Sequence, residues 1–518
     1  MARTITAAEL KEHNKNGDLW LAVGADVYDV SKFAKLHPGG AKVLEELGGR
    51  DVTSEFFELH RTDVLKKYKK LIIGRLDTAS KEAELAKGIS AVPFAEIPSF
   101  QGMNSPYYND SHRRCLLAAR KFVQEELVPI AMESDINGDY PEAELKERLC
   151  TSGMMHTRIG KGPWLQAAKD LGIPIPGDVA VEEYDYFHEM IIHMEIARLG
   201  LPGFIDSLGA GWMISVPAIF NFGSDHIRKT AGAACLKGEK TSCLAISEPF
   251  AGSDVSAIRT TAEKSACGKF YIVNGIKKWI TEGMYADYFV TAVRTGGDGA
   301  KGISMLLIER DDNVKTSQIK TTYSTAAGTA LVIFDNCKVP VENLLGKEND
   351  GFRLVMYNFN HERFMIVCNL MGQARAALGD AFMWAKQRKV FGQPLVNQAV
   401  IRQKLSASAA ALESMQAYME AICYDMCKAK DGPLGTRLAG PIAMLKFQAS
   451  RVALKIADDT VQIMGGRGIT RTGMGSKVEG FKNFVKFAAV YGGSEEIMAD
   501  LAIKQALKRY PTGVEAMM

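Results

Sequence analysis

The chain has 518 residues, 47% hydrophobic and 24% charged, with 63 basic against 60 acidic side chains and a net charge of +3. That length exceeds one ordinary core and predicts about three or four domains. The near-neutral balance, without a basic stripe, excludes a dedicated nucleic-acid binder. Nine cysteines scattered from Cys115 to Cys427 read as free thiols of a reducing compartment rather than a disulfide framework.

Residues 1–78 read as a small domain. Leu19–Val23 and Val27–Val30 predict two strands around a Gly24-Ala25-Asp26 turn, followed by short helices over 41–47 and 52–57 and a closing strand at Leu71–Gly74. The opening Met1-Ala2-Arg3-Thr4-Ile5-Thr6 has neither an apolar leader nor an Arg- and Ser-rich presequence. The terminal Val514–Met518 is not a Ser-Lys-Leu address. The expected location is therefore cytoplasmic, or peroxisomal without an obvious signal. The Lys66-Lys67-Tyr68-Lys69-Lys70 run reads as a solvated helix face.

His37-Pro38-Gly39-Gly40 and His60 are the chemistry-bearing residues of this segment. Two neutral imidazoles on opposite faces of an iron give a six-coordinate heme suited to electron transfer. Pro38 suits the first turn of a helix, and the glycines let backbone approach a flat ring. Phe56, Phe57 and Leu59 offer apolar walls. Leu36–Gly40, Gly49–Thr53, Phe56–His60 and Ile72–Leu76 together resemble cytochrome b5 over residues 4–77. The resemblance implies heme b, with His37 and His60 as ligands of its iron.

Residues 79–105, rich in Lys, Glu, Ala, Ser and Pro, read as a linker. A helical texture follows over 106–240, with Ser111 as a candidate cap and a second helical period over Tyr184–Leu199. The apolar run Leu208–Phe220 is interrupted by Ser215 and Pro217 and is short for a membrane span. Over 241–346, β-branched and aromatic runs at 270–273, 288–293, 303–308 and 330–334 predict a β-domain. Long helices return over 347–512, where Cys423 and Cys427 lie one turn apart without a histidine to complete a metal site.

A flavin that oxidises a carbon chain needs its ring fixed, its N1–C2=O edge stabilised and a base for the proton. Ser247, Gly252, Ser253 and Thr281 supply small polar groups and backbone donors, and Trp279 can cover a ring face. Ala245–Asp254, Asn274–Thr281, Arg388–Pro394 and Gln462–Gly468 together resemble the acyl-CoA dehydrogenase family over roughly 106–510. The implied fold is multi-domain α+β: the b5-like domain, then all-α, β and four-helix-bundle-like domains. The resemblance implies FAD, with Ile246, Ser247, Gly252, Ser253, Trp279, Ile280 and Thr281 around the flavin. Arg388 and Phe391 would reach the FAD of a neighbouring subunit, with Gln462, Gly466 and Ser494 completing the site. That implies a homo-oligomer, a tetramer or dimer.

Many family members carry the catalytic glutamate after a tyrosine in the last motif, where this chain has Tyr491-Gly492-Gly493-Ser494. A minority place it before an arginine on another helix, and His361-Glu362-Arg363 matches that arrangement. Glu362 shares a helix face with Met365 and Ile366, and an apolar face raises a carboxyl towards the range useful to a base. Glu495 and Glu496 are the runners-up. Ser253, Arg363 and Tyr491 are the expected substrate contacts. The expected reaction is α,β-dehydrogenation of an acyl-CoA, in fatty-acid breakdown or lipid-like secondary metabolism. Gly492 in place of a glutamate opens volume for a bulky acyl group. Electrons would pass to the fused heme or to another flavoprotein or b5-linked acceptor. A flavin oxidase of the same fold, reversed flow from heme to flavin, and a non-enzymatic electron-transfer scaffold are the alternatives.

Overall fold

A computed structural model describes residues 3–24, 26–53, 55–56, 60, 62–76, 88–429 and 436–508. The chain divides into two compact units: Met1–Ala91 with Gly465–Ser476, and Val92–Met464 with Lys477–Met518.

The first unit contains β1 (Thr4–Ile5), α1 (Ala7–Glu12), β2 (Asn14–Lys15), β3 (Asp18–Val23), β4 (Asp26–Asp29), α2 (Ala41–Leu47), β5 (Arg50–Asp51), α3 (Thr62–Lys67) and β6 (Ile72–Leu76). The two expected strands pair antiparallel, Trp20 opposite Asp29 and Leu21 opposite Tyr28. The closing strand is an inner one: the order is β1-β6-β4-β3-β2, and β6 runs parallel to β1. Leu19, Leu21, Val30, Leu44 and Val52 form a core against which Phe33, Phe56, Leu65 and Leu71 are half-buried. In the helix expected over 52–57, Thr53, Glu55 and Phe56 are helical, while Phe57 and Leu59 lie outside the described residues.

In the second unit, α4 (Asp110–Phe122) and α5 (Tyr186–Ala197) are the helices expected near Ser111 and Tyr184. Ser111 is not the cap of α4. Asn109 takes that place, its Oδ1 accepting from the N–H groups of Ser111 at 2.9 Å and His112 at 3.4 Å. The Ser111 hydroxyl itself donates to that oxygen, because an amide two residues earlier reaches more of the orphan donors. The linker expected over 79–105 is also narrower. Ala95, Glu96, Ile97 and Phe100 are buried. Glu96 is bound at both oxygens by Arg120 (2.8 Å each), and Arg375 donates to the carbonyls of Phe94 and Glu96. Pro93 and Pro98 suit a spacer, yet the Glu96 carboxylate between them is clamped inside the fold.

The segment Pro202–Phe222, which includes α6 (Ala210–Phe222), is apolar and long enough to cross a membrane, but 83% of its most apolar window is buried against the rest of the unit. It is a core element.

The β-domain is an eight-stranded sheet: β7 (Ser242–Ala245), β8 (Thr261–Lys264), β9 (Phe270–Ile280), β10 (Tyr288–Arg294), β11 (Ile303–Glu309), β12 (Val314–Gln318), β13 (Ala330–Pro340) and β14 (Leu344–Leu345). Alternation along β10 and β11 sends Phe289, Val293, Leu306 and Ile308 to one core and Val290, Ala292, Met305 and Leu307 to another. The second core also takes Trp212 of α6 and Leu354, Val355 and Met365 of the next helix. One continuous core therefore runs through the helical segment, one face of the sheet and the start of the next helix.

The C-terminal part comprises α7 (Gly351–Gln387), α8 (Ala399–Lys428), α9 (Ala439–Met464), α10 (Ser476–Val490) and α11 (Glu495–Leu507). From Asn360 to Gly379 every residue of α7 is buried, so this helix is enclosed on all sides. Any polar residue in that stretch sits in the interior.

Candidate functional site

In the first unit, the His37 and His60 rings face each other with centroids 5.9 Å apart and planes inclined by 46°. A metal bound to both imidazoles at about 2 Å puts their centroids roughly 6 Å apart. His37 Nδ1 faces the Gly40 carbonyl at 3.4 Å and His60 Nδ1 faces the Phe56 carbonyl at 3.1 Å. Backbone carbonyls take up both Nδ1–H groups and leave both Nε2 lone pairs for a metal. A Cβ on Gly39 would lie 3.0 Å from His37 Cε1, and Gly40 has φ +84°. A side chain at the first would crowd the ring, and one at the second would be strained. Phe33 and Phe56 flank the pair at 5.9 and 4.6 Å. This donor set fits a heme iron with two imidazole ligands.

In the second unit, the ends of β7 and β9 lie side by side. The Lys278 N–H donates to the Ser247 carbonyl at 2.9 Å. Lys277 Nζ donates to the Ile246 carbonyl at 3.0 Å and to Glu248 Oε1 at 2.8 Å. Glu248 also accepts from the N–H groups of Arg259 (2.6 Å) and Thr260 (2.9 Å). Burial pushes its carboxyl up, but Lys277 and these donors outweigh burial and hold it below the usual range. Glu248 and Lys277 are thus the clamp of this edge, a role their sequence neighbours did not suggest.

Trp279 sits on the clamp with φ +68° and is 54% exposed. Between Lys277 and Ile280 strand β9 has one residue more than β13 has between Ala330 and Val332. The extra residue makes a bulge that turns the indole out of the sheet. A bulky side chain at positive φ is strained, and such strain clusters at ligand sites. Ser247 and Thr281 are half-buried beside it, Ile246 and Ile280 are buried, and Gly252 and Ser253 are exposed. A Cβ on Gly252 would meet nothing within 4 Å. A half-exposed indole with the Lys278 ammonium 4.7 Å from its ring centre, small hydroxyls and open backbone fit a flat flavin.

Phe391 is 95% exposed, at the tip of a hairpin pairing Lys389–Val390 with Gln393–Pro394. Phe391 (φ +50°) and Gly392 (φ +77°) form the two-residue turn. The Arg388 guanidinium lies 5.6 Å from the Trp384 ring. Gln462 is exposed near the end of α9. Gly466, in the turn after it, falls in the first compact unit. Among the described residues, Arg388, Phe391 and Gln462 share no hydrogen bond or ring contact with the Ser247–Thr281 edge. They present an open surface.

Glu362 lies in the enclosed part of α7, is 7% exposed and makes no ion pair among the described residues. Its Oε1 accepts from Asn358 Nδ2 at 3.0 Å. Burial pushes its carboxyl up to about 7, against the pull of Asn358, Arg363 and His361. Arg363 turns to the loop after α10, donating from Nε to the Gly492 carbonyl at 3.1 Å and from Nη1 to Asn360 Oδ1 at 3.0 Å. Lys446 of α9, fully buried, donates to the Gly493 carbonyl. Burial and the nearby Arg363 push its ammonium down to about 7. Two buried cations thus tie the 492–493 carbonyls in place.

Gly492 has φ +68°, and a Cβ there would fall 2.5 Å from Cδ1 of Ile366, one turn beyond Glu362 on α7. The two positions where the family can place its base, expected at 362 and 492, are therefore neighbours in space. Tyr491 is partly exposed, and Ser494 caps α11, its Oγ accepting from the Ile497 N–H at 3.5 Å. Of the runners-up, Glu495 accepts from Ser450 at 2.7 Å and pairs with Arg451 at 3.2 Å, while Glu496 is exposed. Neither is desolvated as Glu362 is.

Asn358, Lys446 and the His361–Glu189 pair were missed. His361 Nε2 meets Glu189 Oε1 of α5 at 2.7 Å with both residues buried, which fixes the rotation of α7 where Glu362 projects. A signal existed: four consecutive polar residues, Asn360-His361-Glu362-Arg363, directly precede the apolar run Phe364–Cys368.

Comparison with known proteins gives three family matches. Residues 6–77 match the cytochrome b5-like heme/steroid binding domain. Residues 243–337 match the acyl-CoA dehydrogenase middle domain, and residues 349–507 its C-terminal domain. The chain is 41% identical over 424 residues to the acyl-CoA dehydrogenase apdG of Emericella nidulans, covering 82% of this chain and 97% of that protein. It is 36% identical to the acyl-CoA dehydrogenase AFT10-1 of Alternaria alternata, over 81% of this chain and 96% of that one. Among solved structures it is similar to butyryl-CoA dehydrogenase from Megasphaera elsdenii, with TM-score 0.68, 26% identity, and coverage of 79% of this chain and 100% of that one.

Proposed function

This chain belongs to the acyl-CoA dehydrogenase family, with a cytochrome b5-like domain at its N-terminal side, and we propose that it dehydrogenates an acyl-CoA at Cα–Cβ with Glu362 as the base. When bound, FAD supplies a hydride acceptor at its N5, and heme a one-electron outlet in the same chain. Glu362 accepts the α-proton at its carboxylate. Arg363 and Lys446 hold the 492–493 loop that borders it, and Asn358 orients the carboxylate. The Trp279 bulge and the Ser247 and Thr281 hydroxyls position the flavin, with Ser253 and Tyr491 near the thioester. Arg388, Phe391, Gln462 and Ser494 complete the cofactor site, the first two from a second copy. His37 and His60 hold the heme iron.

The observation that carries this reading is a buried carboxyl on the enclosed stretch of α7 that forms no ion pair among the described residues and is raised to about 7. An anaerobic absorbance titration of the full-length protein with acyl-CoAs tests it. Bleaching of the flavin, followed by appearance of reduced heme, is the expected result. Bleaching without heme reduction would overturn the internal outlet, and no bleaching with any thioester would overturn the dehydrogenase.

The pH dependence has a definite sign. Only the ionised carboxylate accepts a proton, so kcat/KM for flavin reduction should rise about tenfold per pH unit below pH 7 and level off above it. A profile flat between pH 5 and 8, on the order of 3 units, would exclude Glu362 as the base.

Gly492→Glu restores the family's commoner carboxylate but does not fit. Its Cβ meets Ile366, and L-residues at this φ are strained. The expected cost is about 1–3 kcal/mol of stability, with turnover of branched acyl-CoAs falling further than that of short straight ones. Thermal denaturation and a substrate panel check both.

A further inference from the structure

The heme pocket opens among lysines. Lys32, Lys35 and Lys42 flank His37 in sequence, and Lys67, Lys69 and Lys70 belong to the run previously read as a solvated face. All six are exposed. The two segments meet through their aromatic residues: Phe33 is 4.8 Å from Tyr68 and 5.9 Å from His37, ring centre to ring centre. Neither 31–42 nor 64–71 contains a carboxylate. None of the six lysines forms an ion pair among the described residues. The nearest acids in sequence are Asp29, Glu45 and Glu46, together with Asp63, whose side chain is outside the described set. Leu36, next to His37 in sequence, is 75% exposed, and Val43 is 38% exposed. Exposed apolar side chains among charged ones are the composition of a transient protein interface.

We infer that this heme edge is a docking face for an acidic electron-carrier protein. The inference rests on the heme reading above and not on the dehydrogenase. One electron leaves the ferrous heme and one reduces the carrier's iron–sulfur or flavin centre, with no bond made and no proton required. Six lysines raise the encounter rate with an acidic partner, and Leu36 gives the contact an apolar element next to the His37 ligand in sequence. The attraction is between exposed charges, so salt weakens it. That suits a carrier that must leave after each electron.

Two readouts test this on the full-length protein with heme bound. First, dithionite-reduced protein is mixed with hexacyanoferrate(III), an anion, or tris(phenanthroline)cobalt(III), a cation. The anion's rate constant should fall about tenfold or more between about 10 and 200 mM salt, and the cation's should rise. Lys35→Glu with Lys69→Glu should reduce the first trend, while Lys11→Glu with Lys15→Glu, at α1 and β2, should not. Second, the oxidised protein should bind an immobilised acidic [2Fe–2S] ferredoxin at low salt and lose that binding in the Lys35/Lys69 variant. Rates blind to oxidant charge, or a faster cationic oxidant, would overturn the inference. So would absence of ferredoxin binding together with salt-sensitive co-sedimentation on phosphatidylserine vesicles, which would assign the face to a membrane. A protein without a heme spectrum would instead fail the underlying heme reading.

Discussion

Replacing Glu362 by glutamine is expected to lower the rate of flavin reduction by acyl-CoA by about 10²–10⁴-fold, the usual contribution of a positioned general base. The substitution keeps shape and the oxygen that accepts from Asn358, and it removes only the titrating group. It should not weaken the fold. The folded carboxyl is raised from 4.5 to about 7, so its contribution to stability is fully present below the unfolded value and is lost as pH rises through about 7. At pH 8 that loss is on the order of 3 kcal/mol, and glutamine does not suffer it. The variant should therefore melt at or above the parent's temperature at pH 8 while retaining FAD. Slow turnover with undiminished stability would separate a chemical role from a packing role. Undiminished turnover would mean that a group other than Glu362 accepts the α-proton, whereas a non-enzymatic scaffold would show no flavin reduction in either protein.

The same residues show what could be read from the chain. The heme signature was legible because its parts are close in sequence: His37, Gly39 and Gly40 form one turn, and His60 follows within the same small core. The flavin edge was legible by residue type but not by mechanism. Trp279 announces an aromatic face, whereas the bulge that exposes it depends on a register shift against β13, some fifty residues away. Glu362 could be nominated only through resemblance, since its neighbours Gly492 and Lys446 come from other helices or loops. Burial of Glu362 and Lys446 is a property of the assembled bundle. The linker erred for a related reason: Pro93 and Pro98 report local backbone stiffness, but Arg120, Arg198 and Arg375, which hold Glu96 and its neighbours, report nothing locally.

Substitution of either His37 or His60 by alanine should remove the six-coordinate low-spin heme spectrum and leave the flavin chemistry in place. Each imidazole has its Nδ1 committed to a backbone carbonyl, so the Nε2 it presents cannot be supplied by a turned neighbour. No third histidine stands in the pocket: His13, the other histidine of the first unit, stacks on Trp20 at 3.4 Å and bonds to Asp18. The flavin half should survive because its two main cores contain no residue of the N-terminal 91, whose own cores are built around Leu19 and Ile5. In the alanine variants, acyl-CoA should still bleach the flavin at the parent's rate, with no heme band appearing afterwards. Loss of bleaching together with loss of heme would mean that the two halves are one machine rather than a dehydrogenase joined to a separable outlet. If the heme spectrum survived both substitutions, the iron would have to be held by residues other than this facing pair.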